Sequence, residues 1–288
     1  MVSTPASVVG ELIARVGEGR WAELAGLYAE DAVVEHPLRR TRIAGRAAIG
    51  ERFVALGKVE LAAFDVVLHE TTDPEVVVAE FGFRGPGFTA ANVQVVRVRE
   101  GLIAHSRDYH DHLRMAAARG DVSAIVVPYE PTEPSPAAPR IEAEPGSRGA
   151  VVQDLLYSIS SDAPASRADL YADDAFVTHP FHPTAPPLKG KDALRRHFAP
   201  GGGEGLRPRN VVLHEGVDPE LVIAEFEYVG TAGPGNPVYT TNIFVLRVRD
   251  GLIVESRDYA DHVAFAAATG QLPTLIAAAQ SVVTPAGP

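Results

Sequence analysis

SRDYHDH, running from Ser106 to His112, returns as SRDYADH from Ser256 to His262. The match continues upstream of both. VRVREGLIAHSRDY (Val96–Tyr109) answers LRVRDGLIVESRDY (Leu246–Tyr259), and VVLHETTDPEVVVAEF (Val66–Phe81) answers VVLHEGVDPELVIAEF (Val211–Phe226). LYAEDAVVEHP (Leu27–Pro37) answers LYADDAFVTHP (Leu170–Pro180). The order is the same in both copies, and the spacing lengthens slightly along the chain, as small loop insertions would lengthen it. One globular unit has been duplicated; two copies make a tandem, not a solenoid.

Between the copies, VPYEPTEPSPAAPRIEAEPGS (Val127–Ser147) holds six prolines and no apolar period. Proline withholds an amide donor and keeps the chain extended, so this stretch reads as a semi-rigid linker. The expected organisation is a first domain over residues 7–127, a linker over 128–147 and a second domain over 148–279.

The 288 residues are 46% hydrophobic and 22% charged, a globular composition. The absence of cysteine excludes disulfides, thiolate metal sites and cysteine nucleophiles, and fits a cytoplasmic address. The N-terminus lacks the basic and long apolar regions of a signal peptide, and no apolar run approaches the ~20 residues of a membrane span. A net charge of −11 argues against nucleic acid, whose phosphates it would repel.

Each copy reads alike. Helical stretches come first (Val8–Val16 and Arg20–Tyr28; Ala150–Ile159 and Ser166–Tyr171), then a short strand ending in His-Pro, then a helix (Ala47–Leu56; Lys191–Phe198). Three β-rich segments follow, with hairpin signals between them. A closing helix starts near Asp111 or Asp261 and stops at Gly120 or Gly270. Helices followed by a strand meander predict an α+β fold, a curved antiparallel sheet covered by helices on one face.

Strand alternation then sorts the polar residues. His36, Asn92, Gln94 and Asp108 share the apolar face in the first copy, and His179, Asn242 and Asp258 do so in the second. Glu70 and Glu215 alternate onto the same face. Tyr28 and Tyr171, at the start of the His-Pro strand, join the substrate-binding set. His69 and His214 point the other way, and Glu80 and Glu225 are expected at a rim. An unpaired polar group in an apolar interior costs ~1–3 kcal/mol, so these side chains must pair, hold water or line a cavity. A histidine beside a carboxylate supplies acid–base chemistry near neutrality. HDH (His110–His112) is not kept in the second copy and matches no metal spacing, so no metal is expected.

LYAEDAVVEHPLRRTRIAGRAAIGERF and LYADDAFVTHPFHPTAPPLKGKDALRRHF resemble the opening of the ketosteroid isomerase and SnoaL-like polyketide cyclase families, members of the nuclear-transport-factor-2-like superfamily. DGLIVESRDYADHVAFAAATG is similar to the SnoaL-like tail, and HETTDPEVVVAEFGFRG to the phenazine-biosynthesis members. The resemblance covers nearly all of both copies and implies two tandem cone-shaped α+β barrels, each with a deep apolar pocket. In the isomerases the catalytic aspartate falls at His36 and His179, the oxyanion tyrosine at Leu12 and Leu155, and the second oxyanion acid near Gln94 and Phe244, which argues against a steroid isomerase. One aspartate of the limonene-epoxide-hydrolase set resembles Asp108 and Asp258, but its Arg–Asp pair is absent from AEFGF and AEFEY. In tandem polyether epoxide hydrolases, which rely on carboxylate pairs, Glu70 and Glu215 could supply only half. In SnoaL-type cyclases the pocket aspartate matches Asp108 and Asp258.

The expectation is a cofactor-free acid/base enzyme of polyketide-type secondary metabolism. It would catalyse cyclisation, isomerisation, dehydration or epoxide opening on a small apolar substrate. His36, Asp108, His179 and Asp258 would be catalytic, with Asn92 and Asn242 on the substrate oxygen. The alternative is a non-catalytic ligand-binding or assembly module. No membrane partner is expected; the two domains would form an intramolecular pseudo-dimer, with further homo-oligomerisation left open.

Overall fold

A computed structural model describes residues 4–57, 59–122, 125, 143–200, 205–232 and 236–283. The chain divides into two compact units, one of residues 1–125 with 279–288, the other of residues 126–278. Most of the expected proline-rich linker lies outside the described residues. No helix is long and apolar enough to cross a membrane among the described residues.

The first unit opens with helix α1, Pro5–Gly17. Thr4 caps it, its Oγ1 accepting from the Ser7 N–H, and Pro5 takes the first turn, where its missing donor is not needed. Val8, Val9, Leu12, Ile13 and Val16 fall on one stripe and are buried. Each such burial stabilises by roughly 1.5–3 kcal/mol before entropy is charged against it. The predicted second helix is a 3-10 segment, Trp21–Leu27.

Strands β1 (Tyr28–His36) and β2 (Thr41–Ala44), helix α2 (Arg46–Leu56), strands β3 (Ala62–Glu70), β4 (Val76–Gly85), β5 (Phe88–Arg99) and β6 (Leu102–His110), and helix α3 (His112–Arg119) complete the unit. Four strands follow α2 instead of three, because VVLHETTDPEVVVAEF is a hairpin. The Thr71 hydroxyl donates to the Val76 carbonyl, and the Asp73 carboxylate accepts from the Glu75 N–H, closing its turn. Asp111 caps α3, and Gly120 ends it in the left-handed region at φ 70°.

The sheet order is β2-β1-β6-β5-β4-β3. It is mixed, not wholly antiparallel: β1 lies parallel to β6. Nor is it closed among the described residues, since the end strands β2 and β3 do not pair. Val77, Ala79, Phe81, Phe83, Val96 and Val98 face α1 and its neighbours in one core.

The second unit repeats the plan: α4 (Arg148–Tyr157), 3-10 segments Ser158–Ser160 and Pro164–Leu170, β7 (Tyr171–Thr178), β8 (Leu188–Lys189), α5 (Lys191–Phe198), β9 (Gly205–Glu215), β10 (Leu221–Ala232), β11 (Asn236–Arg249), β12 (Leu252–Tyr259) and α6 (His262–Ala268). Its sheet order is β8-β7-β12-β11-β10-β9. A further helix, α7 (Leu272–Ser281), was not expected from the pattern.

Gly230 is where β10 most needs a missing side chain. Its φ is +147°, and a Cβ there would stand 1.8 Å from the Gly205 carbonyl oxygen. That obstacle is backbone and cannot rotate away. At the matching Gly85 the nearest obstacle is the Phe88 ring, 2.5 Å from the added atom, and a ring can shift. Gly230→Ala is therefore expected to destabilise by about 3 kcal/mol and Gly85→Ala by about 1 kcal/mol, read by chemical denaturation. Equal losses would show that β9 yields as readily as a side chain.

Candidate active site

Strand register assembles the site in the first unit. Val34 lies beside Ser106 and Glu35 beside Arg107 in the parallel β1–β6 pair, which brings His36, the next residue, against Asp108. On the other side of β6, Gln94 stands opposite Asp108 and Asn92 opposite His110. Since residues two apart share a face, these five side chains point the same way. They enter a cavity of about 470 Å³ whose other walls come from α1, the 3-10 segment, α2, β4 and α3, including Leu12, Trp21, Tyr28, Phe53 and Phe83. This size suits a small organic ligand.

The polar groups are few and deep. Asp108 is 6% exposed and accepts a short hydrogen bond from the Ser106 hydroxyl. Burial pushes its carboxyl above the ordinary carboxylate range, against the opposing pull of His36, the Ser106 hydroxyl, His105 and the Gln94 amide. Tyr28 is fully buried nearby; burial, then the charge of Asp108, raises its phenol well above normal. Burial holds His110 well below the normal histidine range, with His112 and His36 adding to the effect, so its imidazole is neutral. His36 Nδ1 and Gln94 Oε1 are buried and meet no protein partner among the described residues. Two atoms able to accept a hydrogen bond therefore await something in the cavity.

Asn92 lines the cavity, yet its amide is occupied by the protein. Nδ2 donates to the Ala90 carbonyl at 3.0 Å, and Oδ1 lies 2.7 Å from His110 Nδ1. In the second unit Asn242 Nδ2 donates to the Thr240 hydroxyl at 3.0 Å, and its Oδ1 accepts from the Asp261 N–H at 3.1 Å. Both asparagines, expected to hold the substrate oxygen, instead tie down the strand end that carries the last helix. The amide oxygen of this face that has no protein partner among the described residues is Gln94 Oε1.

Glu70 and Glu215 do not join the site. Each ends its edge strand, where solvent reaches it: Glu70 is exposed, and Glu215 pairs with Arg148 at 3.2 Å. Glu80 and Glu225, expected at a rim, are 5% and 3% exposed on the face opposite the cavity. There His69 Nε2 lies 2.6 Å from Glu80, and His214 Nε2 lies 2.9 Å from Glu225. Burying those carboxylates requires such partners.

His110 and His112 were missed as site residues, although they continue the two-residue alternation of Ser106 and Asp108. His36, Asp108 and His110 place one ligand atom each within 4.8 Å of one another, a spacing that admits a divalent cation. Ala260 stands in place of His110 in the second copy.

The second site is built differently. Phe244 replaces Gln94 and stacks edge-on against Phe226 at 4.9 Å, and the Tyr228 hydroxyl donates to the Leu156 carbonyl. Tyr171 is buried, its phenol raised by burial and then by Asp258. Burial raises Asp258 to about 7, opposed by the Ser256 hydroxyl. Burial lowers His179, whose ring packs against His197 at 5.4 Å and His262 at 6.0 Å. His179 Nδ1 and His262 Nε2 are buried without a protein partner among the described residues.

The family model of the SnoaL-like domain matches residues 9–106 and again residues 152–256. Among solved structures, a candidate isomerase from Bacillus subtilis is 26% identical, with TM-score 0.38, over 40% of this chain and 93% of its own. The epoxide hydrolase/cyclase-like enzyme SalBIII, of pyran ring formation in the polyether salinomycin, is 22% identical, with TM-score 0.34, over 37% and 89%. A candidate polyketide cyclase from Xanthomonas campestris is 18% identical, with TM-score 0.34, over 36% and 88%. No curated protein matches the chain.

Proposed function

Given that the chain belongs to the SnoaL-like domain family through both of its halves, we propose that it is an acid/base enzyme whose working centre is the cavity of the first unit. One observation carries this reading. A buried carboxyl that burial makes less acidic than an ordinary aspartate and an imidazole with an unpartnered nitrogen line the same apolar cavity. Two groups of different basicity on one substrate are what proton relocation requires. His36 Nδ1 takes a proton from a carbon activated by a neighbouring carbonyl. Asp108 gives its proton to the oxygen or carbon that gains electron density, and Gln94 Oε1 accepts from a substrate hydroxyl. The same pair serves isomerisation, cyclisation, dehydration or epoxide opening. The apolar walls fit an oxygenated substrate of polyketide-type secondary metabolism.

Exchange of the activated α-protons of 2-tetralone in deuterated water, followed by NMR, tests this without knowledge of the natural substrate. The native chain is expected to accelerate exchange, and His36→Gln to lower that rate about 10²-fold, while His179→Gln changes it little. A native chain that binds 2-tetralone without accelerating exchange would instead be a ligand-binding module.

A further inference from the structure

Arginines outnumber carboxylates in the lining of the cavity. Arg39, from the 3-10 turn after β1, Arg52, from α2, and Arg119, from the last turn of α3, all line it. Arg52 and Arg119 line the cavity yet are exposed, so their stems run along its wall while their guanidinium groups reach solvent. Among the described residues, the acidic side chains in the lining are Asp108, which is buried, and Asp121. A chain of net charge −11 thus surrounds this cavity with three arginines against two aspartates. His112 lines the same cavity as the three arginines. Its Nε2 is buried without a protein partner among the described residues. At the corresponding positions the second copy carries His182, His197 and Thr269, none of them a permanent cation.

We propose that Arg39, Arg52 and Arg119 form an oxyanion-binding subsite at the mouth of the first cavity, so that the substrate is an amphiphile with an anionic head group and an apolar, oxygenated body. A planar guanidinium offers paired donors matching both a carboxylate and a phosphate ester, and these two share the chemistry. The inference rests on the acid/base reading only for which atom reacts. The head group held at the entrance sets how deep the body reaches toward His36 and Asp108.

Trp21 is the single tryptophan of the chain and lines this cavity, so its fluorescence reports occupancy. The full chain would be titrated below micellar concentrations with decanoate, decyl phosphate and decanol. At least one anion is expected to bind about ten-fold more tightly than decanol, the tighter anion identifying the head group. The double variant Arg52→Gln/Arg119→Gln should lose that preference and bind decanol as the native chain does. Equal binding of all three probes, or a preference that survives the double variant, overturns the subsite. His36→Gln should keep the anion preference. An exchange rate untouched by His36→Gln would thus remove the acid/base reading and leave the subsite standing.

Discussion

Asp108→Asn is expected to lower 2-tetralone exchange about 10³-fold, within the range that a positioned acid or base contributes. An asparagine fills the same volume and can still bond to Ser106 and Gln94, so the fold should persist and the loss should appear in the rate. What it cannot do is release a proton. Burial makes this carboxyl a weaker acid than an ordinary aspartate, so it holds its proton to higher pH, while the pull of His36, Ser106 and Gln94 opposes that shift. Because His36 and Asp108 serve one transfer, adding His36→Gln to Asp108→Asn should slow the reaction little beyond the worse single change. Strictly multiplicative losses would show that the two residues act on separate steps, and full activity in Asp108→Asn would end the assignment.

In the second unit the largest expected effect is on stability. Asp258 is 8% exposed and its carboxyl sits at about 7 against an ordinary 3.8. Between those values the folded chain holds a proton that the unfolded chain has released, so stability falls as pH rises through that window. Below about pH 4 both states are protonated and the group costs nothing. Above about pH 7 the penalty reaches on the order of 4 kcal/mol, at about 1.36 kcal/mol per unit of displacement. Asp258→Asn removes the ionisation, so the variant should match the native chain at pH 4 and exceed it by about that amount at pH 8. Calorimetry across the range reads the difference. A constant difference at every pH would mean that the side chain acts by packing alone. Asp111, raised to about 7 mainly by burial, leaves the native chain with an alkaline weakness of the same sign.

Much of this was written in local pattern. The face shared by His36, Gln94 and Asp108 follows from a side-chain period of two and needs no partner strand to define it. The same period carries His110, and extending the count by one more step would have found it. The His69–Glu80 bond lies outside such a count, because it joins two strands across a hairpin. Asn92 and Asn242 were placed on the correct face, but a face says nothing of which donors and acceptors remain free. Their amides meet backbone and side-chain atoms at the strand end, and only coordinates reveal that these bonds are already made.

The duplication, the helix caps at Asp111 and Asp261, and the inward turn of the histidine and aspartate were determined by sequence alone, because repetition, capping and pleating are properties of neighbours along the chain. The parallel register that sets His36 against Asp108, the burial that raises the carboxyls, and the placing of Arg39, Arg52 and Arg119 in the lining of one cavity were decided only by the tertiary structure. Each depends on groups far apart in the chain that share no local period, and their distances are set by how helices and strands close over the core.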